Sequence, residues 1–190
     1  MFIPQSWVTD VVATANPGWS VTPDELDAGF VRVGFETEGY APLPKVEGPL
    51  VVGRVAEIEE LTGFKKPIRY CQVDVGHANG TGEPQGIICG ARNFAEGDLV
   101  IVSLPGAVLP GGFEIAARKT YDHISNGMMA SAAELGLTSK SEGIITLHSG
   151  AATPGDDARE ILGSDDTVFD VNVTPDRGYA LSARGLTREI

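Results

Sequence analysis

The chain of 190 residues is 42% apolar, and its 26 acidic and 14 basic side chains give a formal net charge of −12. This length allows one ample hydrophobic core or two small ones, and the charge opposes long-range attraction to nucleic acid. No window approaches the ~20 apolar residues of a membrane helix, and the N terminus lacks a secretory signal pattern. We therefore expect a cytoplasmic protein without a membrane partner.

Two helices are predicted in the first 40 residues. The first lies within PQSWVTDVV, with Ser6 as its cap. The second begins at a capping-box spacing, Thr22 followed by Glu25, with Pro23 at the first helical position, and it is predicted to reach about Gly34. The next segment, YAPLPKVEGP, is predicted to be a linker because its three prolines disfavour a helix and a central strand.

A β-rich block follows the linker. VVGRVAEIEEL alternates as an opening strand, although its second half would also suit a helical turn. The runs IRYCQVDV, QGIICGA, DLVIVSL and FEIAARKT are separated by Gly/Pro turns, which is the rhythm of a small closed barrel. The block ends in GMMASAAELGL, where Ser131 and Glu134 predict a capped helix that stops at Gly136.

The remaining chain predicts short elements. GIITLHS and TVFDVNV are predicted strands, AREIL is a predicted short helix, and ALSARGLTREI is a final amphipathic run. The final run lacks a helix stop signal, so we expect the polypeptide to be a piece of a longer protein.

The residue types that carry catalysis do not form a recognisable constellation. Cys71 and Cys89 lie in predicted strands and are interpreted as reduced, buried thiols, with a disulfide as the alternative. His77, His123 and His148 are far apart and are interpreted as loop histidines. No GxSxG, GxGxxG or Walker A pattern occurs. We expect no catalytic residue and no metal ligand.

The β-rich block is the part of the chain that is not acidic. Residues 63–121 hold six basic and five acidic side chains, a balance of +1, whereas the remaining residues carry −13. Strand ends in a barrel can meet at one rim and contact phosphate, although an ordinary mixed-charge surface is the alternative. The candidate phosphate contacts are Lys65, Lys66, Arg69, Arg92, Arg118 and Lys119. The nearby candidates for base stacking are Phe64, Tyr70, Phe94 and Tyr121.

Several motifs, in chain order, resemble the N-terminal part of the bacterial phenylalanyl-tRNA synthetase beta subunit, in an actinobacterial-like form. They are IPQSWVTDVV, TPDELDAGFVRVGFETE, CQVDVG, IICGARNFAEGDLVIVSLPGAVLPGGFEI, NGMMASAAELGL and FDVNVTPDRGYALSARGLTREI. The resemblance implies an α+β chain in which a five-stranded OB-fold β-barrel is inserted into a small discontinuous helical domain with winged-helix-like architecture. It places the OB-fold tRNA-binding-type domain, similar to EMAP proteins, at residues 41–151 and the helical domain at residues 1–40 and 152–190.

The resemblance also implies a function. The parent enzyme attaches phenylalanine to tRNA(Phe) with ATP and Mg²⁺, as an alpha2 beta2 heterotetramer whose aminoacylation site lies in the alpha subunit. The chain itself is then expected to be inactive, with no cofactor of its own and no DNA partner, and to serve in auxiliary tRNA binding and subunit architecture. One alternative is a purely structural or interaction module without tRNA contact. A freestanding tRNA-binding OB protein is disfavoured because the flanking helical halves also match.

One departure from the family pattern concerns the entry to the barrel. Relatives commonly carry an HPNAD-like stretch where this chain has ELTGFKKPIRYC, which leaves Lys65, Lys66 and Arg69 as local substitutes. A second departure is Ala130 in GMMAS, where many relatives have a cysteine. The first departure removes a polar motif associated with tRNA-binding versions of this barrel, so the alternative without tRNA contact stays open.

Overall fold

A computed structural model of the chain describes residues 1–64 and 67–190. All strand pairings in it are antiparallel, and we number strands and helices in chain order. The strands are β1 (Phe2–Pro4), β2 (Glu36–Pro42), β3 (Leu50–Leu61), β4 (Ile68–Asp74), β5 (Gln85–Cys89), β6 (Leu99–Ser103), β7 (Val108–Leu109), β8 (Phe113–Glu114), β9 (Arg118–Thr120), β10 (His123–Ser125), β11 (Met128–Met129), β12 (Thr146–Leu147) and β13 (Thr167–Asn172). The helices are α1 (Gln5–Ala13), α2 (Pro23–Arg32), α3 (Ala158–Leu162) and α4 (Ala183–Leu186), with 3₁₀ turns at Gly76–Asn79 and Pro175–Ala180.

The chain forms two compact units. Met1–Leu43 and Asp165–Ile190 together make one, which we call the terminal unit, and Pro44–Ser164 make the other, which we call the barrel unit. Helices and antiparallel sheets occur together, so the predicted α+β class is confirmed.

The barrel unit is built on a nearly closed antiparallel sheet. Its strand order is β11-β6-β3-β4-β5, and β12 also pairs with β6. The sheet therefore has six strands in the described residues, not the five predicted, because the short strands β11 and β12 share the same side of β6. β3 is an unbroken twelve-residue strand, so the alternative of a helical turn in its second half was wrong.

Both faces of the sheet are buried at β6. All five of its residues are buried, with Val100 and Val102 in one apolar cluster and Leu99 and Ile101 in another. A strand covered on both sides has no polar face, which explains why DLVIVSL is a continuous apolar run rather than an alternating one.

The predicted helix at Ser131–Gly136 is instead a single turn. Ser131 and Glu134 do form the reciprocal hydrogen bonds of a capping box, at 2.8 and 3.3 Å. The chain leaves the turn at once, because Leu137 N donates to Ala132 O while Gly136 adopts a φ of +72°. This is the Schellman arrangement that ends helices. The start and stop signals lie too close together for a helix to extend between them.

The terminal unit contains a sheet that was not predicted as such. Its strand order is β1-β13-β2, with α1 and α2 in the same unit, so the predicted helical domain is itself α+β. Its core includes Leu26, Phe30 and Phe169, and the two phenylalanine rings meet edge-on at 5.6 Å. The predicted linker was wrong at Tyr40–Pro42, which end β2. β2 is an edge strand, where a terminal proline is tolerated.

The two N-terminal helices differ in how well their starts were predicted. α2 begins as predicted, since Glu25 N donates to Thr22 Oγ1 at 3.3 Å and Thr22 N donates to Glu25 Oε2 at 2.9 Å. The Thr22 backbone N–H and hydroxyl both donate to the Glu25 carboxylate, and these two bonds lower the pKa of Glu25. The predicted cap of α1 was wrong, because Pro4 holds the N-cap position. Ser6 instead donates its hydroxyl to Asp166.

Three further predicted elements are shorter than expected. FEIAARKT splits into β8 and β9, GIITLHS contributes only β12, and the final amphipathic run contains only α4. A strand of two residues is too short to show an alternating hydrophobic pattern. The ends of such strands therefore depend on the strands with which they pair elsewhere in the chain.

Candidate nucleic-acid interface

β9 and β10 form a hairpin that carries two of the predicted phosphate contacts. Arg118 pairs with Ser125 and Lys119 with Ile124, so each pair shares one face of the hairpin. The two-residue turn Tyr121–Asp122 has φ values of 50° and 61°. Positive φ at both central positions is the pattern of a type I′ turn, which usually requires glycine or asparagine. Arg118 and Lys119 are both exposed.

The hairpin packs against the outer face of β4 and β5. The rings of His123 and Tyr70 lie 4.2 Å apart, tilted by 36°. Asn126 N, just after the hairpin, donates to Gly86 O at 2.8 Å. The interpretation of His123 as a loop histidine was therefore wrong: it lies in a strand and stacks on an aromatic ring.

Two exposed aromatic rings meet at the tip of the hairpin. Phe64 and Tyr121 form an edge-to-face pair with centroids 4.6 Å apart. Phe64 is 43% exposed and Tyr121 is 36% exposed, so both keep ring surface free for a further contact. The neighbouring candidates Lys65 and Lys66 lie outside the described residues.

Arg69 and Arg92 share one carboxylate. Both guanidinium groups donate to Glu60 Oε1, at 2.9 and 2.6 Å respectively. Arg69 also donates to Phe94 O at 2.9 Å and lies 5.1 Å from the centre of the Phe94 ring. The hydrogen bond from Arg69 is the largest cause of the lowered pKa of Glu60, with Arg92 adding to it. Glu60 therefore stays ionised and offsets much of the local positive charge.

The four described basic candidates do not form one cluster. Arg69 precedes Tyr70 in β4, so their side chains point to opposite faces of the sheet. Arg69 lies on the face of the buried Cys71 and is only 15% exposed, whereas Tyr70 lies on the face that the β9–β10 hairpin covers. The two hairpin cations are thus separated from the Glu60-bound arginines by the sheet itself.

Comparison with known families bears on this surface. A family model described as "Putative tRNA binding domain" matches residues 50–157, more than half of the chain. The chain belongs to this family. The matched range covers the hairpin, β4, β5 and the Glu60 cluster.

Individual relatives extend the match to the whole chain. All of the chain aligns with the phenylalanine–tRNA ligase beta subunit of Corynebacterium efficiens at 71% identity, and with that of Mycobacterium leprae at 53%. The chain spans only 23% and 22% of those subunits' lengths. These matches confirm the resemblance drawn from the sequence motifs.

Solved structures add little to this comparison. The CsaA chaperone of Picrophilus torridus aligns with 56% of this chain and 87% of its own, at 14% identity and a TM-score of 0.40. A similarity of that size carries no argument. The tRNA-binding family assignment therefore rests on sequence.

Arg118, which lies within the residues matched by the tRNA-binding family, stacks on an exposed aromatic ring. Its guanidinium carbon lies 5.2 Å from the centre of the Phe113 ring, which is 49% exposed. Ile88, Ile115 and both of these residues line a shallow apolar hollow of about 200 Å³. A guanidinium stacked in this way keeps its N–H groups free to contact phosphate.

The hairpin of β9 and β10 was not predicted from the sequence, and His123 was therefore not recognised as part of this surface. The turn Tyr121–Asp122 has neither glycine nor asparagine, so it lacks the signal by which a type I′ hairpin is recognised. The contact between His123 and Tyr70 joins residues far apart in the chain, and only the tertiary structure brings them together.

We also searched the described residues for a metal cluster, a membrane helix and a reactive thiol. In residues 1–64 and 67–190, no group of three or more His, Cys, Asp or Glu side chains could hold a metal ion. None of the helices in that part of the chain is both long and apolar enough to cross a membrane. Cys71 and Cys89 are free and buried, as predicted, and burial raises the pKa of Cys71 to about 12. Such a thiol is not a nucleophile at neutral pH.

Proposed function

We propose that the chain is the N-terminal, non-catalytic region of a phenylalanine–tRNA ligase beta subunit, serving in auxiliary tRNA binding and subunit architecture. The observation that carries this proposal is the alignment of the entire chain, at 71% identity, with a subunit of that name. The terminal unit lies inside that alignment as well as the barrel unit, which disfavours a freestanding tRNA-binding OB protein.

The proposal includes a domain architecture. The barrel unit is an OB-type domain, supported by its nearly closed antiparallel sheet and by the match to the tRNA-binding family. The terminal unit is a discontinuous domain of winged-helix type, supported by its combination of short helices with the β1-β13-β2 sheet. The barrel domain is thereby an insertion into the terminal domain.

The whole enzyme supplies the chemistry in this proposal. It joins phenylalanine to tRNA(Phe) with ATP and Mg²⁺, in the cytoplasm, as an assembly of two alpha and two beta subunits. The described residues of this chain hold no cluster of carboxylates, histidines or cysteines suited to a metal ion. Their role is to bind and position, and the chain alone is inactive in aminoacylation.

Contact with tRNA is assigned to the β9–β10 hairpin. Arg118 and Lys119 are exposed and form no ion pair within the described residues, so their charges are available to phosphate oxygens. Phe64 and Tyr121 at the hairpin tip offer ring surface for stacking. Lys65 and Lys66 remain candidates on sequence grounds.

Arg69 and Arg92 have a smaller part in this assignment. Both are bound to Glu60, and Arg69 is mostly buried beside Phe94. A cation that already has a carboxylate partner gains less from phosphate, because the existing ion pair must first be broken or shared. We therefore rank the hairpin cations ahead of these two arginines.

The second candidate function is a structural or interaction module without tRNA contact. Two observations favour it: Glu60 offsets the charge of Arg69 and Arg92, and the chain carries a formal −12 overall. In that case the acidic residues outside the barrel sheet repel polyanions, while the barrel unit packs against other domains.

Salt dependence separates the two functions. Binding of tRNA(Phe) to the 190-residue chain is measured by fluorescence anisotropy at several salt concentrations. If the chain binds tRNA through the hairpin, we expect the double variant Arg118→Gln with Lys119→Gln to bind more weakly. The slope of log affinity against log salt concentration should fall in magnitude by about 1.5, because each phosphate contact contributes about 0.7 to 0.9 to it.

The matched control carries the same loss of charge in the terminal unit, Arg184→Gln with Arg188→Gln, both of them exposed. This control is expected to leave the slope nearly unchanged. Equal effects of the two double variants would show that only net charge matters. Absence of salt-dependent binding by the unmodified chain would favour the structural module.

A further inference from the structure

A cleft of about 670 Å³ opens beside Tyr70 on the outer face of β4 and β5. Its volume falls in the range of small-molecule sites, about 300 to 1,000 Å³. One wall is the segment between β4 and β5, and the other is formed by Leu104, Pro105 and Asn126. The cleft lies next to the hairpin, but neither Arg118 nor Lys119 lines it, so its chemistry can be considered separately.

The wall between β4 and β5 is held in place by one side chain. Asn79 Oδ1 accepts hydrogen bonds from Thr81 N, Thr81 Oγ1 and Gly82 N at 3.0 to 3.1 Å. Its Nδ2 donates to Glu83 O at 2.8 Å. These four bonds use nearly all the hydrogen-bonding capacity of one amide. The wall is therefore preorganised, and Asn79 itself has little left to offer a ligand.

Two other amides lining the cleft are free. The side chains of Gln72 and Asn126 make no hydrogen bond within the described part of the chain, and each is partly buried. Gln85 donates its Nε2 to Asn126 O at 2.6 Å, which leaves its Oε1 as an acceptor. Each free amide presents two donors and an acceptor in one plane. The cleft thus holds unused donors and acceptors on a fixed frame.

The aromatic side of the cleft is also fixed. A Cβ built on Gly86 would fall 2.0 Å from Tyr70 Oη, so the phenol lies directly over that glycine. His123 stacks on the same ring from the hairpin. The orientation of Tyr70 is therefore set by the absence of a side chain at Gly86 and by the hairpin together.

The charge of the cleft excludes phosphate as its occupant. Among the described lining residues, Glu83 is the only charged one, and there is no lysine or arginine. A planar, neutral group with both donors and acceptors on its edge fits the free amides of the cleft. Asparagine and glutamine form bidentate pairs of this kind with base edges.

We propose that this cleft binds one unstacked nucleobase of an RNA strand, with Gln72 and Asn126 contacting its edge. This rests on the proposed function in one respect, that RNA reaches this face of the barrel unit. The proximity of the hairpin favours RNA over a peptide, because Arg118 and Lys119 lie on the element that holds Tyr70 in place through His123. Phosphates would lie on the hairpin while a base enters the cleft.

The test compares base preference with salt dependence. Affinities of the 190-residue chain for oligoadenylate, oligouridylate and oligocytidylate of equal length are measured at two salt concentrations. We expect the unmodified chain to prefer one homopolymer. Gln72→Ala with Asn126→Ala is expected to reduce that preference by about fivefold or more, because a good bidentate base contact discriminates by that much. The salt slope should not change, since no phosphate contact is lost.

Two variants check the assignment. Asn16→Ala removes an exposed amide in the terminal unit and is expected to leave the preference unchanged. Gly86→Ala displaces the Tyr70 ring without removing either amide, and it is expected to reduce the preference as well. Thermal unfolding of each variant shows whether the fold is retained.

The outcomes distinguish this inference from the proposed function. Salt-dependent binding without any base preference, or a preference that the double variant keeps, would overturn the base site and leave the tRNA-binding function standing. If no oligonucleotide binds, free nucleosides are titrated while the side-chain amide signals of Gln72 and Asn126 are followed by NMR. Shifts of those signals would support the cleft independently. Their absence, or shifts with a neutral peptide instead of nucleosides, would overturn it.

Discussion

At the level of single residues, Glu60 sets the charge balance at one end of the barrel sheet. Its Oε1 accepts from both Arg69 and Arg92, and these bonds lower its pKa below the ordinary value of 4.5. Arg69 in turn covers the Phe94 ring and reaches the Phe94 carbonyl. A basic residue chosen from the sequence as a phosphate contact can thus have its bonds satisfied inside the protein.

Replacing Glu60 with glutamine is expected to destabilise the chain in a pH-dependent way. A carboxyl group whose pKa is lowered by folding contributes stability that is fully present above its unfolded pKa, near 4.5, and is lost as the pH falls through the folded value. Unfolding midpoints in urea should therefore differ between wild type and Glu60→Gln at pH 7, and the difference should shrink as the pH falls below 4.5.

The control for this prediction is Glu59→Gln. Glu59 is the neighbouring residue in β3, so its side chain points to the opposite face of the strand from Glu60. It lies opposite Tyr70 rather than an arginine, and Glu59→Gln removes the same charge as Glu60→Gln. We expect a small difference from wild type at both pH values. If Glu59→Gln and Glu60→Gln behaved alike, the arginine pair would have no specific effect on stability.

At the level of elements, β3 packs closely against the side chains of β4 and β6 because residue 53 is a glycine. A Cβ on Gly53 would lie 2.6 Å from Val73 Cγ1 and 2.8 Å from Val102 Cγ2. Both valines are fully buried in the core of the barrel unit, where close packing leaves little room for their side chains to move. Glycine in a strand interior often marks such a close approach.

Gly53→Ala is accordingly expected to lower the free energy of unfolding by about 1 to 3 kcal/mol, the usual cost of overpacking a core. The matched control is Gly90→Ala in the same unit, where the nearest atom to the added Cβ is Ile68 Cδ1 at 3.8 Å. The control should change the free energy by much less. Chemical denaturation of the two variants measures the difference, and similar losses would mean that the close contact at Gly53 does not decide the cost.

Element prediction from sequence succeeded where local signals agree with the tertiary environment. The capping box at Thr22 starts α2 as predicted, because the residues that follow also bury Leu26 and Phe30. At Ser131 the same signal produced only one turn, because Gly136 ends it. The end of β2 was missed because Pro42 and the two prolines after it suggested a linker, although an edge strand accommodates a terminal proline.

At the level of the whole molecule, the terminal unit depends on chain segments far apart in sequence. β13 is the central strand of its sheet, between β1 and β2. The N-terminal ammonium donates to Asp170 Oδ1 at 3.1 Å and to Val171 O at 2.6 Å. Phe169 fills the core between helices and sheet. The first 43 residues therefore lack a core of their own without the C-terminal segment.

A chain truncated after Ser164 should keep a folded barrel unit and lose the fold of residues 1–43. Hydrogen exchange measures this directly: amides of β3 and β6 should remain protected, whereas those of α2 and β2 should exchange freely because their central strand is gone. The untruncated chain is the reference for both regions. Continued protection of α2 and β2 after truncation would contradict the proposed discontinuous domain.

Sequence patterns were enough to predict the strand-rich block and the helix after Thr22, and the sequence motifs showed the resemblance to the synthetase subunit, which in turn implied the α+β class. These follow from local turn, capping and hydrophobic signals, and from order along the chain. Three contacts became visible only in the fold: Arg69 and Arg92 share Glu60, β13 completes a sheet with β1 and β2, and His123 contacts Tyr70. Each of these contacts joins residues distant in sequence, and burial and pairing partners, not local propensity, determine whether such a contact forms.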